Sequence, residues 1–168
     1  MVKERFPGAR VVFGVIMGTG VGGGIVVDGR AIIGLHGIAG EWGHNFVHES
    51  GGPCYCGKTG CVETVISGPA LERFYFQETG NKKRLKDIVA LAESENDPSA
   101  QRTMMRLVEY FGLSLSVVIN ILDPDVIVIG GGVGNIDLLY DQGIASVKKY
   151  IFNHGLETPI VKPSLGDS

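Results

Sequence analysis

The chain has 168 residues, a formal net charge of −3, 44% hydrophobic and 20% charged residues, an ordinary composition for one domain able to bury roughly 70% of its unfolded surface. A mild acidic balance with no basic stripe argues against nucleic acid and anionic lipid as partners. No unbroken apolar run reaches the roughly 18 residues that cross a bilayer, and the N-terminus lacks the apolar core of a signal peptide, so a cytoplasmic protein with no membrane partner is expected.

Arg10 to Met17 is a nearly continuous apolar run rich in β-branched residues, which predicts a buried strand ended by the glycines of 18–24. Ile25 to Val27 and Arg30 to Ile33, joined by Asp28-Gly29, predict a hairpin with a type I′ turn. Gly34 to Gly60 has no period and is too long for a plain connection, which predicts a functional loop. Pro69 to Gln77 and Lys83 to Glu93 predict two short helices, the first opened by its proline. Ser99 to Leu122 predicts the longest helix, with Met104, Leu107, Val108, Phe111, Leu115, Val118, Ile119 and Leu122 on its apolar stripe, and Asp123-Pro124 stops it. Asp125 to Ile129 predicts a strand, 130–132 a sharp turn, Ile136 to Phe152 a helix burying Ile136, Tyr140, Ile144, Val147 and Ile151, and Thr158 to Lys162 a last strand. Strand, turn, helix and strand in that order define a βαβ unit and an α/β class.

Three clusters carry chemistry. Gly18 to Gly24 contains a formal G-x-G-x-x-G, but a strand pattern follows where a dinucleotide site needs a helix, so the Rossmann reading fails. A glycine turn between strands still offers bare N–H groups and the Thr19 hydroxyl to phosphate oxygens. The second cluster is His44 with Cys54, Cys56 and Cys61. Three thiolates and one imidazole fill a tetrahedral zinc site with no open position, which predicts a structural metal, with His48 as the competing fourth ligand. Gly52 to Thr59 also matches G-x-x-x-x-G-K-[ST], yet it neither follows a buried strand nor opens a helix, so it is no P-loop. Beside the cysteines stand Glu41 and Glu63, acceptors suited to a polyhydroxylated ligand, although by spacing alone the leading reading is a surface carboxylate and a helix-start carboxylate. The third cluster is the 130–135 turn between strand and helix, a place where α/β sheets bind ligands.

Glu41-Trp42-Gly43-His44 followed by Cys54-x-Cys56-Gly57-x-x-Gly60-Cys61-x-Glu63 resembles the signature of the ROK family (repressor, open reading frame, kinase). Gly18 to Gly22 resembles that family's second phosphate loop and Asp123 to Gly132 its adenosine loop, in the same order, so the resemblance covers nearly the whole chain. The segments GEWGHN, PCYCGK, CVETVISG and NILDPDVIVIGGG are most similar to the bacterial fructokinase (mannokinase-like) branch, with N-acetylhexosamine kinases and glucokinases as neighbours. The resemblance implies an actin-like, hexokinase-like ATPase fold of the ribonuclease H-like kind. Residues 1–168 would form a single C-terminal domain with an inserted sugar and zinc loop at 34–63. It implies phosphorylation of a hexose hydroxyl by Mg-ATP. Glu41, His44 and Glu63 would hold sugar hydroxyls, with His44 also ligating zinc beside Cys54, Cys56 and Cys61. Gly18, Thr19 and Gly20 would touch phosphate, and Gly131, Gly132 and Val133 would lie near the adenosine.

The family's first phosphate loop, Asp-x-Gly-Gly-Thr, and the Asn-Asp motif carrying its catalytic base have no counterpart in these residues, and the sequence ends where the family continues into a last helix. The expectation is therefore the C-terminal part of a kinase, without a catalytic base of its own and inactive alone. Apolar surface that the absent helix would cover predicts a homodimer or larger assembly. The alternative within the family is the sugar-sensing domain of a transcriptional repressor, and the intact phosphate and adenosine turns favour the kinase.

Overall fold

The computed structural model describes residues 5–94 and 96–163. At its centre lies β1 (Val11–Met17), whose β-branched run favours extended backbone. Phe13, Val15 and Met17 point into the core, whereas Ile16 on the opposite face is 66% exposed. β2 (Val21–Val27) pairs antiparallel with β1 over its whole length, from Val11 opposite Val27 to Met17 opposite Val21. The reversal therefore takes only Gly18-Thr19-Gly20, and Gly22 to Gly24, expected in the turn, are strand. The reason is close approach: a Cβ on Gly23 would lie 2.8 Å from both the Phe13 and Trp42 rings and 2.9 Å from the Gly40 carbonyl. Removing that side chain lets the long 34–60 segment lie directly on the sheet.

The Asp28-Gly29 turn forms as expected, with φ of 50° and 79°, but β3 (Arg30–Ala31) is shorter than its predicted run. β4 (Val126–Gly130) runs parallel to β1 on the other side, Phe13 opposite Ile127 and Val15 opposite Ile129, so both strands bury the same face. β5 (Ile160–Val161) extends the sheet beyond it, giving the order β3-β2-β1-β4-β5. The link from β3 to β4 crosses through α1 (Val62–Ile66), α2 (Gly68–Thr79), α3 (Leu85–Glu93) and α4 (Pro98–Leu122). After β4 come a π-helical turn (Leu139–Gly143) and α5 (Ile144–Tyr150). That turn, absent from the predicted single helix over 136–152, adds a residue and rotates the face. Leu139 becomes fully buried, while Ile136, Tyr140, Ile144 and Ile151 only flank the core.

α4 buries Met104, Leu107, Val108, Phe111, Leu115 and Ile119, six residues of the apolar stripe. By length and a mean hydropathy of 1.5 over an 18-residue window it also meets the measure of a bilayer-crossing helix, which a count of unbroken apolar runs missed; 44% of that window is buried within the fold. Asp97 caps its N-terminus, accepting from the N–H groups of Ser99 and Ala100 and from the Tyr75 hydroxyl at 2.6 Å. The Tyr75 hydrogen bond first, then the Ala100 N–H, hold this carboxyl below its ordinary value. A depressed folded pKa adds stability above the unfolded value near ~4 and loses it as pH falls through the folded value. Asn at 97 keeps a capping oxygen but not the charge. Urea unfolding should therefore show wild type more stable than Asp97→Asn above about pH 4, with the two converging in acid. Parallel curves across that range would contradict this account.

Candidate functional site

The segment from Trp42 to Cys61 is ordered by short-range pairing rather than by long elements. Single-turn 3-10 helices span Trp42–His44 and Glu49–Gly51. Isolated bridges join Phe46 with Cys61 and Pro53 with Thr59, and the Cys54 N–H donates to the Lys58 carbonyl at 2.8 Å. Gly52 to Thr59 is thus a tight knuckle, neither following a sheet strand nor opening a helix. Trp42 pins the segment to the sheet: buried against Phe13, it donates from Nε1 to the Gly22 carbonyl at 2.8 Å.

The knuckle brings His44, Cys54, Cys56 and Cys61 together, each ligating atom within 4.8 Å of the others. His44 Nδ1 lies 3.5 Å from Cys54 Sγ, and Cys56 Sγ lies 3.6 Å from Cys61 Sγ. A zinc tetrahedron separates two sulfurs by about 3.8 Å and a sulfur from a nitrogen by about 3.6 Å, given its bond lengths. The spacing fits that polyhedron, and the cysteines are free thiols rather than a disulfide pair. Their electrostatics point the same way. Burial pushes the Cys61 thiol up, whereas the Lys58 backbone N–H, foremost among several groups, draws Cys56 down. A divalent cation would offset both the desolvation of Cys61 and the mutual repulsion of the thiolates. The residues present therefore fit zinc. His48, the competing ligand, is engaged elsewhere: its Nδ1 accepts from the Ser50 N–H, and its ring leans on Tyr110.

Glu41 is exposed just before the first 3-10 turn, and Glu63 is half-buried in the first turn of α1. Glu63 Oε2 accepts from the Val21 N–H at 3.0 Å and sits 2.8 Å from where a side chain on Gly20 would begin. The carboxylate beside the knuckle therefore touches the Gly18-Thr19-Gly20 turn, a junction that nothing in the sequence announced. His44 Nε2 meets the Tyr55 hydroxyl at 2.9 Å, a second contact sequence reasoning missed because Tyr55 looks like filler between two cysteines. A cleft of about 700 Å³ opens beside these groups, with Glu41, His44 and Tyr55 on one wall and Val117 and Ile121 of α4 on another; Glu63 does not line it.

The two glycine turns lie side by side at the C-terminal ends of the parallel strands β1 and β4, the usual ligand position of such sheets. The Gly18 carbonyl accepts from the Gly68 N–H at the start of α2, and the Met17 carbonyl accepts from the Val133 N–H, both at 2.8 Å. Val133 is buried with its N–H spent in this way, leaving Thr19, Gly132 and Asn135 as the exposed members of the two turns.

This arrangement has relatives. The sequence pattern of the ROK family matches residues 3–168, and the chain belongs to that family. It is 33% identical over 175 aligned positions to the N-acetyl-D-glucosamine kinase of Aliivibrio fischeri, across 98% of this chain and 57% of that protein. The fold matches a ROK hexokinase from Thermus thermophilus with a TM-score of 0.85 and 30% identity, covering 95% of this chain and 53% of the other. It matches a ROK family glucokinase from Streptomyces griseus, solved with glucose and AMPPNP, with a TM-score of 0.82 and 27% identity, covering 95% and 57%. The fold is thus the actin-like, hexokinase-like α/β ATPase fold, and the chain spans little more than half the length of these relatives.

Proposed function

We propose that the protein containing these residues transfers the γ-phosphoryl group of ATP to a hexose hydroxyl. The observation that carries this reading is the contact of Glu63 with the Val21 N–H, because it sets a carboxylate beside the knuckle against the glycine turn after β1. A hydroxyl held by Glu63 would lie next to phosphate oxygens at Gly18-Thr19-Gly20, the juxtaposition that phosphoryl transfer needs. Glu41 and Glu63 accept from sugar hydroxyls, and His44 stands with Glu41 on the lining of the adjoining cleft. Gly131 and Gly132 face the adenosine end of Mg-ATP. Zinc held by His44, Cys54, Cys56 and Cys61 supplies rigidity rather than reaction chemistry. The base that takes the hydroxyl proton belongs to a part of the protein beyond these 168 residues, so this C-terminal domain alone does not turn over.

N-acetyl-D-glucosamine takes precedence over fructose as the hexose, since a 33% identical relative is named for it while the likeness to the fructokinase branch rests on four short segments. Association of copies remains part of this reading, resting on exposed apolar side chains such as Leu35 and Phe152. The test is Glu63→Gln in the complete protein. Glutamine keeps an oxygen for the Val21 N–H but removes the charge, so sugar binding measured by calorimetry should weaken by about 1.5–3 kcal/mol, roughly 10- to 150-fold. Unchanged affinity would refute the assignment.

A further inference from the structure

Tyr55 has no part in the scheme above, yet it holds the one His44 nitrogen left over by the cysteine cluster. Its hydroxyl is 2.9 Å from His44 Nε2, and its ring meets the imidazole edge-on, with centroids 5.1 Å apart at 89°. Packing does not account for this position, because the residue is 84% exposed. What fixes the side chain is the hydroxyl. The same side chain lines the cleft that Glu41 and His44 also line.

The direction of these hydrogen bonds follows from coordination chemistry. His44 turns Nδ1 toward Cys54 Sγ, and an imidazole that gives Nδ1 to a metal carries its proton on Nε2. Nε2–H then donates to the Tyr55 oxygen, leaving the phenolic proton free for another acceptor. Glu41 and Glu63, when ionised, accept only, so they recognise the hydrogens of a polyol and are blind to its lone pairs. A tyrosine oriented through a zinc-bound histidine fills that gap.

The geometry points to Tyr55 as a sugar contact that sets specificity: its O–H, oriented through His44, donates to a hexose oxygen held in the cleft it lines with Glu41. This rests on the sugar site proposed above and adds to it a donor that discriminates among hexoses by where they carry an acceptor oxygen.

The experiment titrates the zinc-loaded complete protein with N-acetyl-D-glucosamine, glucose, mannose and fructose by calorimetry, in wild type, Tyr55→Phe and Glu63→Gln. Phenylalanine keeps the ring and removes only the donor. Binding of the preferred hexose should weaken about 3- to 10-fold in Tyr55→Phe, the range of one neutral hydrogen bond. Zinc content and melting temperature should stay at wild-type values. A series of monodeoxy analogues of that hexose should contain one that loses affinity for wild type but loses none further on Tyr55→Phe. Unchanged or tighter binding by Tyr55→Phe, while Glu63→Gln binds weakly, would overturn the role of Tyr55 and leave the sugar site standing. Loss of zinc from Tyr55→Phe would also overturn it, showing that the hydroxyl serves the knuckle. Absence of sugar binding in wild type, or a neutral Glu63→Gln, would overturn the site and this inference together.

Discussion

Stripping zinc with a strong chelator will abolish the cooperative melting transition of this protein, and Cys56→Ser will lower its melting temperature far more than a surface substitution does. Cys56 is exposed, so serine there removes a ligand without disturbing packing. The knuckle has little else to hold it. From Gly51 to Cys61 the chain has two isolated bridges, a few turn hydrogen bonds, and only Cys54 and Cys61 as buried side chains with any bulk. A structural zinc supplies roughly 10 kcal/mol or more of apparent folding free energy, comparable with the whole net stability of a domain, about 5–15 kcal/mol. The loss will not stay local, because Cys61 leads directly into α1, whose Val62, Val65 and Ile66 belong to the main core. Calorimetry with and without chelator, beside elemental analysis, reads the result. Well-folded protein without metal, or an unaltered curve for Cys56→Ser, would sink the site.

Gly43→Ala will destabilise the protein at or beyond the upper end of the roughly 1–3 kcal/mol that overpacking costs. A Cβ on Gly43 would overlap the Val21 carbonyl oxygen and lie 2.8 Å from its carbon, and backbone cannot rotate away as a side chain can. The first 3-10 turn would have to retreat from β2. Trp42 would then lose its 2.8 Å hydrogen bond to Gly22, and His44 would shift relative to the cysteines. Reduced zinc affinity should therefore accompany the loss of stability. Gly24→Ala, where an added Cβ meets nothing within 4 Å, is the control and should change stability by no more than about 0.5 kcal/mol. Equal urea midpoints for the two variants would show that the close approach of Gly43 to β2 is not a constraint.

Features with a local signature were legible before any coordinates. The β-branched run of β1 encodes an extended backbone, the stripe of α4 encodes one buried face at helical spacing, and Asp28-Gly29 encodes positive φ. The cluster of His44, Cys54, Cys56 and Cys61 was equally readable, since the three cysteines of the chain lie within eight positions and His48, the competing fourth donor, is engaged through Ser50 and Tyr110. The π turn at Leu139–Gly143 was not readable, because inserting one residue changes which side chains face inward without changing composition.

By itself, then, the sequence determined the α/β class, the main strands and helices, and which histidine and cysteine side chains cluster, because periodicity and ligand chemistry act between residues close along the chain. The tertiary structure alone decided which glycines are turns and which are gaps. Gly18 and Gly23 look alike in the sequence, but one reverses the chain and the other clears space for Trp42 and Gly40. It alone decided that Glu63 meets Val21, that Tyr55 meets His44, and that the turns after β1 and β4 adjoin. The Glu63 contact and the adjoining turns join segments far apart in the chain, the Tyr55 contact depends on how the knuckle folds, and the physical basis of all three is excluded volume and hydrogen-bond direction, neither of which leaves a pattern in the order of residues.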